Sequence, residues 1–517
     1  MRPTTLLSLL AASLLWPATA QADPTLLWQV ELESTSYGSA AVDDVDGDGE
    51  LEVVFGTYFN DEQVWMLGAA DGAIKLQVPS GGGPVDNSVT LADIDLDGEI
   101  EILWGNSATT LFHVMSPSGQ DEWTYYTGEV LDAPEAVADL DGDGALEVIL
   151  ASCGSETSEG LRVLRGTDGQ VVWKAAQSDC YQSAPLIFDV DGDGILDVVV
   201  STWFNNKVRA FSGVDGALLW TFETTDQMYH AGSFGDLNGD DVPDVALGDM
   251  DGAFFAINGS DGTQLWSASL NEPSFFGPTA MADLDGDGSL EVIAAGTRVH
   301  ALSSEGAPLW SSDYLSYVAR GPVIADADGN ETPDVIVATS EPAVRAFDGA
   351  TGASLWTYEL PEGCDPDFAP VVWDFSGDGL LDIFVVCGRG YYEPDMEANW
   401  GLALALKGEG KGTGWPSFSH DLHHSGNVHY PAGSAVNDPD WDPNPGSGGE
   451  GGGGVAGGGT GGAGQGGEVP SAAPDGSMDL DDPGGCGCRT ASGGSRHGLA
   501  ALGLLLTLVA LRRRWRG

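Results

Sequence analysis

The pattern with the clearest chemistry is an acidic nonapeptide. Asp44-Val-Asp46-Gly-Asp48-Gly-Glu-Leu-Glu52 places carboxylates at positions 1, 3, 5 and 9 and glycines at positions 4 and 6. Alternate acids converge only if the chain curls, and the glycines permit that curl. Oxygen-only ligands with clustered negative charge select a hard cation, and a flexible cage suits Ca²⁺ over Mg²⁺. Four carboxylates gathered without a counter-ion repel one another strongly, so the spacing calls for a bound cation. An EF-hand would need Glu at position 12, where this chain has Phe55, Trp104 and Leu150 in its first three copies.

Four further copies carry all four acids: Asp93/Asp95/Asp97/Glu101, Asp139/Asp141/Asp143/Glu147, Asp189/Asp191/Asp193/Asp197 and Asp283/Asp285/Asp287/Glu291. Three depart. Asn238 stands beside Asp236, Asp240 and Asp244; Asn330 beside Asp326, Asp328 and Asp334; Ser376 beside Asp374, Asp378 and Asp382. Position 6 is Asp241 and Glu331 in two of these, and weaker affinity is expected there. The expectation is about one Ca²⁺ per repeat, up to eight.

The elements that must position these acids repeat with them. The first and eighth nonapeptides open 330 residues apart, at Asp44 and Asp374, which is about 47 residues per step. A second mark, often Asp-Gly-x-x-x-Trp, ends at Trp28, Leu76, Trp123, Trp173, Trp220, Trp266, Trp310 and Trp356 with the same period. Between the marks lie short runs rich in Val, Ile, Leu and Phe, such as 183–189, 196–202, 207–211 and 218–222. They read as four strands per unit, with no helical periodicity. Four antiparallel strands per repeat of this length make one blade of a β-propeller. The fold class is therefore all-β: an eight-bladed propeller, with seven blades as the alternative. The first strand, around Trp28, can complete the last blade as its outer strand and close the ring.

On these motifs the chain resembles the FG-GAP/VCBS repeat family, which includes the propeller of integrin α-subunits. The resemblance covers roughly 35–390 and implies calcium-braced propellers used in adhesion and ligand binding, and also propellers within some polysaccharide-degrading enzymes. The tryptophan mark resembles the quinoprotein-like (PQQ-like) repeats: Ala346-Phe-Asp348-Gly-Ala-Thr351-Gly352-Ala-Ser-Leu-Trp356 fits their tryptophan-docking pattern. The expected role is packing, a large ring wedged between neighbouring blades. Trp415 to Gly426 resembles a closing segment of such propellers, and its His420, His423 and His424 read as packing before they read as a metal site.

Composition agrees with this reading. Lys plus Arg is 19 against 79 Asp plus Glu, a net charge of −60, which excludes a binder of nucleic-acid backbones. The hydrophobic fraction of 42% is ordinary for a folded body. The ends read as addresses. Residues 1–22 form a secretory signal: Arg2, an apolar run from Leu6 to Trp16, and small residues at Ala18, Ala20 and Ala22. Residues 23–430 form the propeller, and 431–485 a Gly-rich linker without the means to build a core. In 486–517, Cys486 and Cys488 precede an apolar stretch at 499–511 and a cluster at Arg512, Arg513, Arg514 and Arg516. That stretch would rise only about 20 Å as a helix, short of a hydrocarbon core of about 30 Å, so it offers transient membrane contact. The layout resembles the myxobacterial C-terminal sorting signal (MYXO-CTERM), which implies handling by sorting and processing machinery and a place at the surface of a Gram-negative cell.

No nucleophile elbow, P-loop or HExxH motif is present. The adjacent cysteines that resembling quinoprotein dehydrogenases carry are also lacking, so that activity is disfavoured. In a four-stranded blade the loops after strands two and four share a face. Cys153 with Cys180, and Cys364 with Cys387, therefore read as structural disulfides. The same face carries Tyr58, Phe59, Trp203, Phe204, Tyr229, Phe275, Phe276, Tyr314, Tyr317, Tyr391, Tyr392 and Trp400 in its loops, rings of a kind that sugars and proteins use as contacts. Arg320, Lys207 and His230 lie there too, too little for a catalytic claim. The expected work is binding or adhesion to an extracellular protein or carbohydrate. A lyase-like polysaccharide-degrading enzyme and a purely structural surface protein are the alternatives.

Overall fold

A computed structural model describes residues 23–421 and His424, apart from 86, 155–158, 231, 273, 274, 276, 391–395, 413 and 416. The chain divides into two units, Met1–Gly446 and Ser447–Gly517, and everything described lies in the first. The secretory signal, the linker and the sorting signal lie outside the described residues.

Eight four-stranded antiparallel sheets form an eight-bladed propeller. Blade 1 runs Ala41–Asp43, Glu52–Gly56, Gln63–Gly68 and Ile74–Pro79. Blades 2 to 7 follow in order, opening with Thr90–Ala92, Ala136–Ala138, Leu186–Phe188, Ser233–Gly235, Ala280–Ala282 and Val323–Ala325. Blade 8 takes Val371–Trp373, Leu381–Arg389 and Trp400–Gly410 from the end of the body, and its fourth strand is the N-terminal Thr25–Leu32. Thr25 to Leu32 pairs antiparallel with Lys407 to Gly401, so the ring closes through backbone hydrogen bonds. The number of blades is eight, not seven.

Burial explains the strand chemistry. The first strands of successive blades meet around the centre of the ring. The second strands, such as Glu147–Ala151, lie between neighbouring sheets and are buried throughout, hence their unbroken apolar runs. The fourth strands alternate, as in Asp121–Tyr126, because only one face is covered. A register shift recurs where the third and fourth strands meet, for instance between Met66 and Leu67 and between Ala210 and Phe211. It follows from the Asp-Gly turn: Gly72 has φ 71°, a left-handed residue that adds the extra position of a G1-type bulge.

The segment after the last strand turns into the middle of the ring. Trp415 bridges Val372 of blade 8, Phe418 packs with the core shared by blades 4 and 5, and His424 Nδ1 lies 3.0 Å from the Pro185 carbonyl of blade 4. Trp415, Phe418, His420 and His424 are all buried. Among the described residues these histidines are packing groups, and His423 lies outside them. Also among the described residues, no helix is long and apolar enough to cross a membrane.

Candidate metal centres

Each acidic nonapeptide joins the first strand of a blade to the second, so equivalent topology brings all eight onto one rim. The curl is held by the same bonds in every copy. The position-1 carboxylate accepts the position-6 amide: Gly49 N to Asp44, Gly98 to Asp93, Gly144 to Asp139, Gly194 to Asp189, Asp241 to Asp236, Gly288 to Asp283, Glu331 to Asp326 and Gly379 to Asp374, all at 2.8–3.0 Å. The position-9 acid reaches back to the start. Glu52 accepts Val45 N at 3.0 Å, Glu101 accepts Ile94 N at 2.9 Å and Asp334 accepts Ala327 N at 2.9 Å. In the eighth loop, Asp382 accepts from Ser376 instead, at 2.9 Å.

The turn needs left-handed backbone at positions 4 and 6. Position 6 is Gly in six copies, and Asp241 and Glu331 adopt the same conformation at φ 68°. Leu96 occupies position 4 of the second loop at φ 61°, so that copy has a complete set of acids on a strained backbone.

The stapling bonds leave oxygens turned toward each other. One oxygen each from Asp44, Asp46 and Asp48 lies within 4.8 Å of the others, a set that could hold a metal ion. The same holds for Asp93, Asp95 and Glu101; Asp139, Asp141 and Glu147; Asp189, Asp191 and Asp197; and Asp283, Asp285 and Glu291. In these four the ninth residue joins the first and third, as the closing role of position 9 requires. The fifth-position acids Asp97, Asp143, Asp193 and Asp287 each accept the position-7 amide, at 2.8–2.9 Å.

A cation fits these sets by a direct observation. The Oδ1 atoms of Asp44, Asp93 and Asp382 are buried and accept no hydrogen bond. A buried carboxylate oxygen without a donor is costly, and a metal ion supplies the partner. The titration tendencies agree. Burial, then the charges of neighbouring acids, pushes Glu101 up to about 8, and Glu147 and Glu291 to about 7. Asp244 and Asp334 rise to about 7 and Asp197 to about 6 for the same first reason. Such shifts mark carboxylates that lack a positive charge to favour their ionised form.

The departing loops meet part of this need internally. Asn238 Nδ2 donates to Asp240 Oδ2 at 3.0 Å and to Asp244 Oδ1 at 3.3 Å. Asn330 instead uses its oxygen locally, accepting the Thr332 amide at 2.7 Å. Three more neighbours escaped the sequence reading: Lys75 and Lys407, whose ammonium groups reach loops 1 and 8, and Glu122, beside loop 2. One signal was available. Lys75 and Glu122 sit directly before the repeat's Leu76 and Trp123, where the other six units carry an aliphatic residue.

Neighbouring blades are joined by the tryptophans. Trp28 Nε1 donates to Ala69 O, Trp123 to Gly166 O, Trp173 to Gly213 O, Trp220 to Gly259 O, Trp266 to Ser304 O and Trp310 to Gly349 O, each bond 2.6–2.7 Å and each acceptor in the next blade. Trp356 departs from this, donating to Ala327 of its own blade at 3.1 Å.

On the opposite rim, where the sequence leaves contact rings and inward-folded loop cores equally open, most described aromatics fold inward. Tyr58, Trp203 and Phe275 are buried, and Phe59, Phe204, Tyr229, Tyr317 and Trp400 are half-buried. Tyr37 and Tyr58 stack edge to face at 4.3 Å, and Trp203 and Tyr229 at 5.5 Å. The rings fold back as loop cores because water is a poorer neighbour than another ring. Tyr314 remains exposed, at 63%. Phe276, Tyr391 and Tyr392 lie outside the described residues. Arg320 and His230 serve each other, with Nη1 donating to Nε2 at 3.1 Å. Burial, and then the Arg320 charge, holds His230 well below its ordinary value, so it is neutral. Disulfides tie this face: Cys153 is bonded to Cys180 and Cys364 to Cys387.

Comparison with known proteins places this geometry. Residues 139–200 match the FG-GAP-like repeat. Residues 255–372 match the family described as outer membrane protein assembly factor BamB. Each match covers less than half of the chain. No curated protein matches at a significant level. Among solved structures, the V. cholerae biofilm matrix protein Bap1 superposes with a TM-score of 0.57 at 15% identity, over 77% of this chain and 94% of that one. The quinohemoprotein alcohol dehydrogenase of Comamonas testosteroni gives 0.55 at 12% identity, over 76% and 77%. Sqt1 of Saccharomyces cerevisiae gives 0.54 at 11%, over 74% and 99%. These likenesses establish the fold.

Proposed function

We propose that the protein is a calcium-braced propeller, exported and held at the cell surface, that binds a protein or carbohydrate ligand outside the cell. The observation that carries the calcium reading is the repeated curl: eight loops on one rim, each stapled by the same position-1 and position-6 bond, with buried carboxylate oxygens at Asp44, Asp93 and Asp382 that accept no hydrogen bond. In this reading the acids at positions 1, 3, 5 and 9 hold Ca²⁺ in loops 2, 3, 4 and 6, the Asn-containing loops 5 and 7 hold it more weakly, and loops 1 and 8 each have a lysine ammonium at their acids. The ion supplies only positive charge and coordination, and it stiffens the turn between the inner two strands of each blade.

Export is supported by the signal-like residues 1–22 and by two disulfides, which persist in oxidising compartments. Surface retention is supported by the tail 486–517. That Bap1, a biofilm matrix protein, shares the fold agrees with an extracellular role. With most described loop aromatics folded inward, the exposed Tyr314 marks the proposed contact region.

The test is a glycan array probed with purified full-length protein, with and without chelator. Binding that needs calcium supports the reading. Shortened glycans on the array would assign a degrading enzyme instead, and a chain that binds neither glycans nor extracellular proteins would be a structural component.

A further inference from the structure

Loop 1 holds a cation of its own. Lys75 Nζ lies 2.8 Å from Asp48 Oδ2, 3.3 Å from Asp46 Oδ2 and 3.5 Å from Glu52 Oε1. One ammonium therefore touches the acids of positions 5, 3 and 9, which are ligand positions of the curl. Glu52 is fully buried and its Oε1 accepts no hydrogen bond, so this ammonium is the charge that faces it.

Position in the repeat makes the contact specific. Lys75 directly precedes Leu76 in the fourth strand of blade 1. The same place holds Glu122 in blade 2, then Val172, Leu219, Leu265, Leu309 and Leu355, and Leu27 in blade 8. An aliphatic residue there leaves the adjacent loop to find its counter-ion elsewhere. Glu122 goes further: burial, and then the charges of Asp95, Asp97 and Glu99, push its carboxyl up, so loop 2 has a fifth acid in its field. A second lysine serves loop 8 from another strand. Lys407, on Trp400–Gly410, forms an ion pair with Asp378.

We infer that the Lys75 ammonium is the resident cation of loop 1 and keeps Ca²⁺ out of it, with Lys407 playing the same part in loop 8. A tethered ammonium at the ligand oxygens competes with a metal ion for the same charge, and it is present at every calcium concentration. Blades 8 and 1 are the two that meet at the closure, where Thr25–Leu32 pairs with the last strand and Trp28 bonds Ala69. The closing joint is thereby braced without metal, while blades 2 to 7 depend on it. Calcium depletion then loosens the middle of the ring before its seam.

This inference rests on the calcium reading above, and one experiment separates the two. Calcium bound per molecule is measured by equilibrium dialysis and elemental analysis for the native full chain and for K75M, K75Q and K407M. Each chain is also melted in excess chelator. K75M and K75Q should each bind one ion more than the native chain, as should K407M. In chelator, K75M should melt several degrees below the native chain, and calcium should restore it. Equal ion counts in native protein and K75M overturn the inference while leaving the calcium reading intact. No bound calcium in any chain defeats the calcium reading; the melting arm then still decides the role of Lys75, since an unchanged melting point in K75M would show that the ammonium balances nothing.

Discussion

The indole Nε1 of Trp28 donates a 2.7 Å hydrogen bond to the carbonyl oxygen of Ala69, 41 residues along the chain. Trp28 belongs to blade 8 and Ala69 to blade 1, so this bond fastens the seam where the two ends of the body meet. The same ring covers Gly72, where an added Cβ would come within 2.7 Å of it. Trp28→Ala should therefore cost about 3–5 kcal/mol, and Trp28→Phe about 1–2 kcal/mol because much of the packing survives. Urea denaturation measures both. A loss below about 1 kcal/mol for the alanine variant would mean that the seam is held by the strand pairing alone.

Leu96 stands at position 4 of loop 2 with φ 61° and is 44% exposed, whereas glycine holds this position in the other seven loops. A side chain there costs about 1 kcal/mol of backbone strain, and its exposure means little packing is lost on removal. Leu96→Gly should raise the melting temperature by a few degrees in calcium and in chelator alike. A lower melting temperature would show that the Leu96 side chain contributes packing that outweighs the strain.

The loop acids set an opposite pH response with and without metal. In chelator, the folded protein holds Glu101 near about 8 and Glu147, Glu291, Asp244 and Asp334 near about 7, while unfolded carboxyls titrate near about 4. The folded form binds the extra protons between those values. This stabilising contribution is complete below the unfolded value and is lost as pH rises through the folded values. Metal-free protein should therefore gain stability as pH falls from about 8 to about 5. With calcium, protons displace the ion over the same range, and the extra stability given by binding declines. The melting-temperature gap between the two states should be wide near pH 8 and nearly closed near pH 5. A gap that stays constant would contradict both the burial of these acids and their part in metal binding.

Cys153 and Cys180 are 27 residues apart, and their bond joins the loop after the second strand of blade 3 to the connection leading into blade 4. Closing a loop of that length restricts the unfolded chain by about 3 kcal/mol. The double replacement of Cys153 and Cys180 by serine should lower stability by roughly that amount, read from denaturant midpoints, with the eight sheets retained by circular dichroism. The pair Cys364 and Cys387, 23 residues apart, should behave alike.

Much of this protein is legible residue by residue. The curl needs only nine neighbours, and Asp44 to Glu52 contains its acids, its glycines and its stapling amides together. The strand pattern is equally local, since a two-residue alternation or an unbroken apolar run is visible within one segment. Repetition over eight units then implies closure, because a blade cannot cover its own faces. Contacts between blades are another matter. Whether Tyr58 and Trp203 stand out or fold in depends on Tyr37 and Tyr229, rings from other segments that offer a dry neighbour. The meeting of Arg320 with His230 across 90 residues has no local marker either. Lys75 reaches Asp46 from 29 residues away because two antiparallel hairpins lay its strand beside the loop. Charge and period are written along the chain, but the partner of a given charge is chosen by which strand the fold sets next to it.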